Sequence, residues 1–197
     1  GRKPRNLGLA RCWVFAAAAL GAALLLPRGA AAYSEQLLYS FCAQSDCADG
    51  AHPQAGLIMD AAGNLYGTTP NGGVQNSGVV FKLSPDGMET VVYSFCPQSG
   101  CADGRNPAAG LLMDVAGNLY GTTRLGGTSG QGVVFELAPD GTETVLYSFS
   151  GAPDGAFPEA GLIMDKAGNL YGTTRTGGAP IGNGTVFKLA ADGTETV

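Results

Sequence analysis

Residues 56–69 read GLIMDAAGNLYGTT, residues 110–123 read GLLMDVAGNLYGTT and residues 161–174 read GLIMDKAGNLYGTT. Each copy is followed by a Gly-Gly pair (72–73, 126–127, 177–178) and then by an apolar run: VVFKL at 79–83, VVFEL at 133–137 or TVFKL at 185–189. A turn comes next (Pro85-Asp86-Gly87, Pro139-Asp140-Gly141, Ala191-Asp192-Gly193). It leads into ETVVYSF at 89–95, ETVLYSF at 143–149, or Glu195-Thr196-Val197. The Tyr-Ser-Phe triplets at 39–41, 93–95 and 147–149 are 54 residues apart, and the GTT copies ending at Thr69, Thr123 and Thr174 are separated by 54 and 51. Self-similarity at such a period marks a propeller, a solenoid or another repeat array.

One period divides into four candidate strands: GLIMD, NLYGTT, VVFKL and ETVVYSF. Asp-x-x-Gly-Asn joins the first pair, and a Pro/Ala-Asp-Gly turn joins the last, both with residues that tolerate positive φ. Leu57-Ile58-Met59, Val79-Val80-Phe81 and Val91-Val92-Tyr93 are unbroken apolar runs, as in sheets covered on both faces. Four-stranded sheets of about 50 residues, buried on both sides, are the blades of a propeller. The expectation is therefore an all-β, propeller-like array with a period of 51–54 residues. Its repeats cover about 42–95, 96–149 and 150–197 within a domain of 33–197. An isolated fourth-type strand over Leu37–Phe41 opens the series. Three blades fall short of the usual 4–8 and Val197 lies inside a strand, which predicts an incomplete propeller with further repeats downstream.

Composition agrees. Of 197 residues 32 are glycine and 14% are charged, which excludes a long helical protein, and hydrophobic residues at 45% exclude disorder. Most of the glycine excess is one blade's turns counted three times.

Residues 1–32 stand apart. Arg2, Lys3, Arg5 and Arg11 precede an uncharged run from Cys12 to Leu26, and Ala30-Ala31-Ala32 precedes Tyr33. This is the plan of a secretory signal peptide cleaved after Ala32, and the apolar run is too short to span a bilayer. The leader holds five of the 11 basic residues and none of the 16 acidic ones. The remainder carries six basic against 16 acidic residues, a net −10 hidden behind the chain's overall −5. So acidic a domain repels phosphate backbones and anionic lipid, so no nucleic-acid partner is expected.

Cys42 and Cys47 lie in FCAQSDCADG, and Cys96 and Cys101 in FCPQSGCADG; the third repeat, FSGAPDG at 149–155, has lost both together. Paired loss favours two local disulfides, in keeping with export. A four-cysteine zinc site is the alternative, with C-x₄-C at the edge of the spacing that zinc uses.

A single catalytic site in a repeat protein must break the repeat. The lone His52 aligns with Asn106 and Phe157, each before a proline, and reads as a variable loop residue. Asp60, Asp114 and Asp165 recur before a glycine and read as turn aspartates, with calcium the alternative. Arg124 and Arg175 align with Pro70 beside the Gly-Gly loops and read as charge added to a sparse surface, with a ligand contact the alternative. Glu159 is the one acid in its column, opposite Gln54 and Ala108. Asn183-Gly184-Thr185 fits a glycosylation sequon at a position that the repeat itself dictates. Phosphate-loop, dinucleotide, zincin and serine-elbow motifs are absent. No catalytic residue, metal or cofactor is expected.

The unit G-N-L-Y-G-T-T-x-x-G-G…G-x-V-F-x-L…D-G…Y-S-F, which runs through residues 37–197, resembles the GloVer tandem repeat of "choice-of-anchor" bacterial surface proteins. The resemblance implies an exported bacterial protein whose array precedes a variable C-terminal anchor, with membrane contact only through that anchor. The anchor is expected beyond Val197, and the cysteine pairs depart from a uniform unit. The family brings no catalytic residues to transfer. The expected function is a secreted or cell-surface interaction or structural scaffold with a protein or glycan ligand. The alternative is a propeller enzyme acting on extracellular polysaccharide, with Glu159 as its test residue.

Overall fold

Each repeat folds as an antiparallel meander in a computed structural model, which describes residues 34–178, 182–191 and 194–196. The first blade contains β1 (Ile58–Met59), β2 (Leu65–Thr69), β3 (Val79–Leu83) and β4 (Glu89–Ser94), and the second contains β5 (Leu112–Met113), β6 (Leu119–Thr123), β7 (Val133–Leu137) and β8 (Glu143–Ser148). The third repeat holds β9 (Gly155–Ala156), β10 (Ile163–Met164), β11 (Leu170–Thr174), β12 (Thr176–Gly177), β13 (Thr185–Leu189) and β14 (Glu195–Thr196). There β10, β11, β13 and β14 form the blade, and β9 pairs with β12 in a separate ribbon. The four expected strands per period are present, and the fold is all-β with propeller-like blades. The signal-peptide stretch 1–32 lies outside the described residues.

Register is pinned by a glycine. Gly67 faces Phe81 across β2 and β3, as Gly121 faces Phe135 and Gly172 faces Phe187. A Cβ on Gly67 would lie 2.7 Å from the Phe81 ring and 2.7 Å from Leu57 Cδ2. The glycine of LYGTT is thus a seat for an aromatic ring. A bulge follows at Val80/Phe81 and again at Val134/Phe135, where it bends the outer strand.

Two apolar seams join the blades. At the first, Val80, Phe95, Ile58 and Tyr66 meet Leu111, Leu119, Phe135 and Leu137; at the second, Val134, Phe149, Leu112 and Tyr120 meet Leu162, Leu170, Phe187 and Leu189. Phe95 stacks edge-on against Phe135 at 5.1 Å, and Phe149 against Phe187 at 5.1 Å. Val79, Val80, Val133 and Val134 have no exposed surface. This is why the runs are continuous and not alternating.

Two sequence expectations need correction. GLIMD supplies only two paired residues, Ile58 and Met59, because Asp60 is already committed to the turn. Leu37–Phe41 lies in no sheet. A fourth strand pairs with a VVFKL-type strand; 79–83 and 133–137 are paired with β4 and β8, and β13 is paired with β14 at Lys188 and Leu189. The segment nevertheless keeps the side-chain role of its motif, since Phe41 stacks on Phe81 at 4.7 Å as Phe95 does on Phe135.

Candidate functional site

A blade has two chemically different ends. At one end lie the Asp-x-x-Gly-Asn and Pro-Asp-Gly turns; at the other, beyond Thr69 and before Val79, lie the Gly-Gly loops and the His/Asn/Phe-Pro loops. The turn aspartates are fully engaged. Asp60 Oδ1 accepts the N–H of Ala62 and Asn64 (both 2.9 Å), and Oδ2 accepts Asn64 Nδ2 at 2.7 Å and the Tyr66 hydroxyl at 3.2 Å. Asp114 and Asp165 repeat the pattern. The Asn169 amide, with its backbone N–H and the Tyr171 hydroxyl, holds Asp165 down at about 2. These carboxylates close hairpins, and the calcium reading gives way to the turn reading.

A second aspartate series escaped the sequence reading. Asp49 accepts the Tyr39 hydroxyl at 2.7 Å and the Ala43 N–H at 2.9 Å; Asp103 accepts the Tyr93 hydroxyl at 3.0 Å and the Cys96 N–H at 2.7 Å; Asp154 accepts the Tyr147 hydroxyl at 3.1 Å and the Ser150 N–H at 2.8 Å. Each tyrosine of Tyr-Ser-Phe is thereby tied to the loop that opens the following blade. Burial pushes Asp49 up, but the Tyr39 hydroxyl and the amides of Ala43 and Gln44 outweigh it and hold the group below the usual carboxylate range. The signal in the sequence was the Asp-Gly pair at 49–50, 103–104 and 154–155.

Around those aspartates Cys42 lies at disulfide distance from Cys47, and Cys96 from Cys101, with Cα–Cα separations of 4.0 and 4.3 Å. The sulfurs pair locally and do not converge from neighbouring blades as a zinc site requires. Cys47 O and Cys101 O accept the N–H groups of Gly73 and Gly127, both at 2.9 Å, and so dock the Gly-Gly loops.

The variable residues meet at this loop end. Gln54, Pro70, Asn71, Asn106, Ala108, Arg124 and Glu159 line a pocket of about 430 Å³. Its residues come from three successive repeats and include all three members of the Gln54/Ala108/Glu159 column. Arg124 Nε lies 2.8 Å from Glu159 Oε1, and Arg175 reaches the same oxygen at 3.7 Å. The Arg124 contact is coulombic, since Nε has no aligned hydrogen-bond acceptor. Arg124 also lies over the Phe157 ring at 6.0 Å.

Strained backbone frames the pocket. His52, Asn106 and Phe157 hold φ of +59°, +61° and +57°, a region that non-glycine residues seldom occupy. Two of them reach across a seam. Asn106 N–H donates to Ser77 O at 2.7 Å and Phe157 N–H to Gln131 O at 2.8 Å, and their carbonyls accept the N–H groups of Arg124 and Arg175. Asn106 Nδ2 donates to Pro70 O at 3.0 Å. Glu159, the one acid in its column, is thus brought together with Arg124 and Arg175, which the sequence reads chiefly as added surface charge, whereas His52 is exposed and does not line the pocket. Asn71 was not legible as a site residue, because its column gave no sign that it faced the others. Asn183 is exposed, while Thr185 of its sequon is buried against Thr174.

A family model described as the Gloeobacter/Verrucomicrobia repeat matches residues 30–197. No curated protein matches the chain. A solved structure described as a candidate gluconolactonase is 22% identical, with a TM-score of 0.43 over 71% of this chain and 44% of its own. The chain thus spans less than half of that protein, a likeness too loose to carry an argument about activity. Among the described residues no helix is long and apolar enough to cross a membrane.

Proposed function

This chain belongs to the Gloeobacter/Verrucomicrobia repeat family, and from that premise we propose that it is an exported interaction module that binds a polar protein or glycan ligand without transforming it. One observation carries the reading. All three members of the variable Gln54/Ala108/Glu159 column line one polar pocket with Asn71, Asn106 and Arg124, built by three repeats. Amides from Gln54, Asn71 and Asn106 supply paired donors and acceptors, and Arg124 and Glu159 add fixed charge. Glycoside hydrolysis needs two carboxyl groups flanking the scissile bond. The pocket lining contributes Glu159, which two guanidinium groups hold as an ion pair. Local cysteine pairing supports an oxidising compartment.

The test is an array of glycans and peptides probed with the whole chain, and repeated with Arg124→Ala and with Glu159→Gln. Binding that weakens at least about tenfold in both variants is expected, since each removes a charged partner. Release of reducing ends from a polysaccharide, lost in Glu159→Gln, would replace the binding reading with the hydrolytic one.

A further inference from the structure

Arginine and lysine are segregated on this acidic chain. Outside residues 1–32 the basic residues are Lys82, Arg105, Arg124, Lys166, Arg175 and Lys188, against 16 acidic ones. The lysines belong to the turn end. Lys82 and Lys188 lie over the rings of Tyr66 and Tyr171, whose hydroxyls bond Asp60 and Asp165, and Lys166 follows Asp165 in its turn. All three arginines belong to the loop end: Arg124 lines the pocket, Arg175 reaches its Glu159, and Arg105 adjoins its Asn106. The acids of that end are withdrawn. Asp49, Asp103 and Asp154 are turned onto tyrosine hydroxyls and backbone amides, and none of them lines the pocket, nor does Asp46. Glu159 is the carboxylate of the lining, and it meets two guanidinium groups, which leaves a surplus of one positive charge. Each guanidinium carries five N–H donors, and the Arg124 and Arg175 side chains are 38% and 60% exposed, so donors remain for a ligand.

We infer that this pocket selects an acidic glycan and takes the carboxylate of a uronic acid unit on Arg124 and Arg175. The planar guanidinium fork matches a carboxylate bidentately, and the amides of Gln54 and Asn71 serve the hydroxyls of the sugar ring. Glu159 is a positioning residue: it holds both guanidinium groups beside the pocket before the ligand arrives, so its loss weakens binding even of an anion. Pro70 and Ala108 are the apolar members of the lining, which offers little to the side chains of an acidic peptide. The inference rests on the reading of this pocket as a binding site and adds the charge and class of its ligand.

Calorimetric titration of the whole chain with oligomers of polygalacturonate, alginate and glucuronan tests this, each beside its carboxyl-reduced, neutral form. At least one acidic oligomer should bind at least about tenfold more tightly than its reduced form, as a charge-assisted contact predicts. Arg124→Gln/Arg175→Gln should erase that preference and leave the affinity for the reduced oligomer unchanged. The first repeat carries Pro70 in the same column, so the double variant should fold, which thermal unfolding checks. Equal affinity for acidic and reduced oligomers, or a preference that survives the double variant, would overturn the inference and leave the binding reading standing. Tighter binding of polyglutamate or of a sulfated galactan would overturn it in favour of an acidic peptide or a sulfate ester. Binding of none of these probes would overturn the inference together with the binding reading.

Discussion

Gly121→Ala should destabilise the fold far more than one methyl group suggests. Its backbone is not left-handed, so alanine meets no conformational penalty, and by chain entropy alone the change would stabilise by about 0.4–1 kcal/mol. Space decides the sign. The new Cβ would lie 2.6 Å from Phe135 Cζ, 2.9 Å from Cε1 and 3.0 Å from Leu111 Cδ2. Phe135 is at 0% exposure and is held by Phe95 at 5.1 Å, so the ring cannot withdraw without opening the seam. Overpacking of this kind costs about 1–3 kcal/mol, and a displaced aromatic contact adds about 1. After the entropic gain the net loss is about 2 kcal/mol, or about 4–8 °C in Tm for a domain of this size. Gly56 supplies the control, because its backbone is likewise not left-handed and a Cβ there meets nothing within 4 Å. Thermal unfolding of Gly121→Ala and Gly56→Ala, followed by near-ultraviolet circular dichroism, compares the two. Equal Tm values would refute the pairing of glycine, phenylalanine and leucine that sets the blade register.

Stability should fall as pH rises from about 4.5 to 7. Burial, and then the charge of Asp49 or Asp103, pushes Glu89 and Glu143 up to about 7, so the folded state holds protons that the unfolded chain has released. After discounting for solvent screening each contributes about 1 kcal/mol, read as a higher urea midpoint at pH 5.5 than at pH 8 that Glu89→Gln/Glu143→Gln flattens. The turn aspartates act oppositely, being lowered, and their contribution is lost only on acidification below about 4. Replacing Cys42 and Cys47 together with serine should cost about 2 kcal/mol of loop-closure entropy in chemical denaturation, yet leave the chain folded, because Asp154 organises the same loop with no disulfide. Tyr93→Phe keeps the ring but leaves Asp103 without the hydroxyl, and should lower the unfolding free energy in chemical denaturation by about 1–2 kcal/mol; an unchanged value would refute the Tyr–Asp tie.

The strands were legible because three copies of one unit place apolar runs and turn residues at fixed spacing. Their continuous apolar character announced burial on both faces, which Val79, Val80 and Phe81 bear out. Where the motif was read without its partner it misled: Leu37–Phe41 has strand chemistry but pairs with no strand among the described residues. The site was half legible. Glu159 stood out as the one acid in its column, but its meeting with Arg124 and Arg175 at one carboxylate oxygen depends on blade stacking, which a linear alignment does not contain. The Tyr39–Asp49 series was hidden for the opposite reason, since its residues recur and look like ordinary turn chemistry.

Hydrogen exchange of the whole chain, free and loaded with a ligand taken from the binding array, tests the central claim most directly. Protection should appear together in 52–54, 70–71, 106–108, 124–125 and 157–159, segments far apart in sequence that frame one pocket, and leave the turns at 60–64, 114–118 and 165–169 unchanged. Protection confined to those turns, or to a single repeat, would contradict a site assembled from the departures of three repeats.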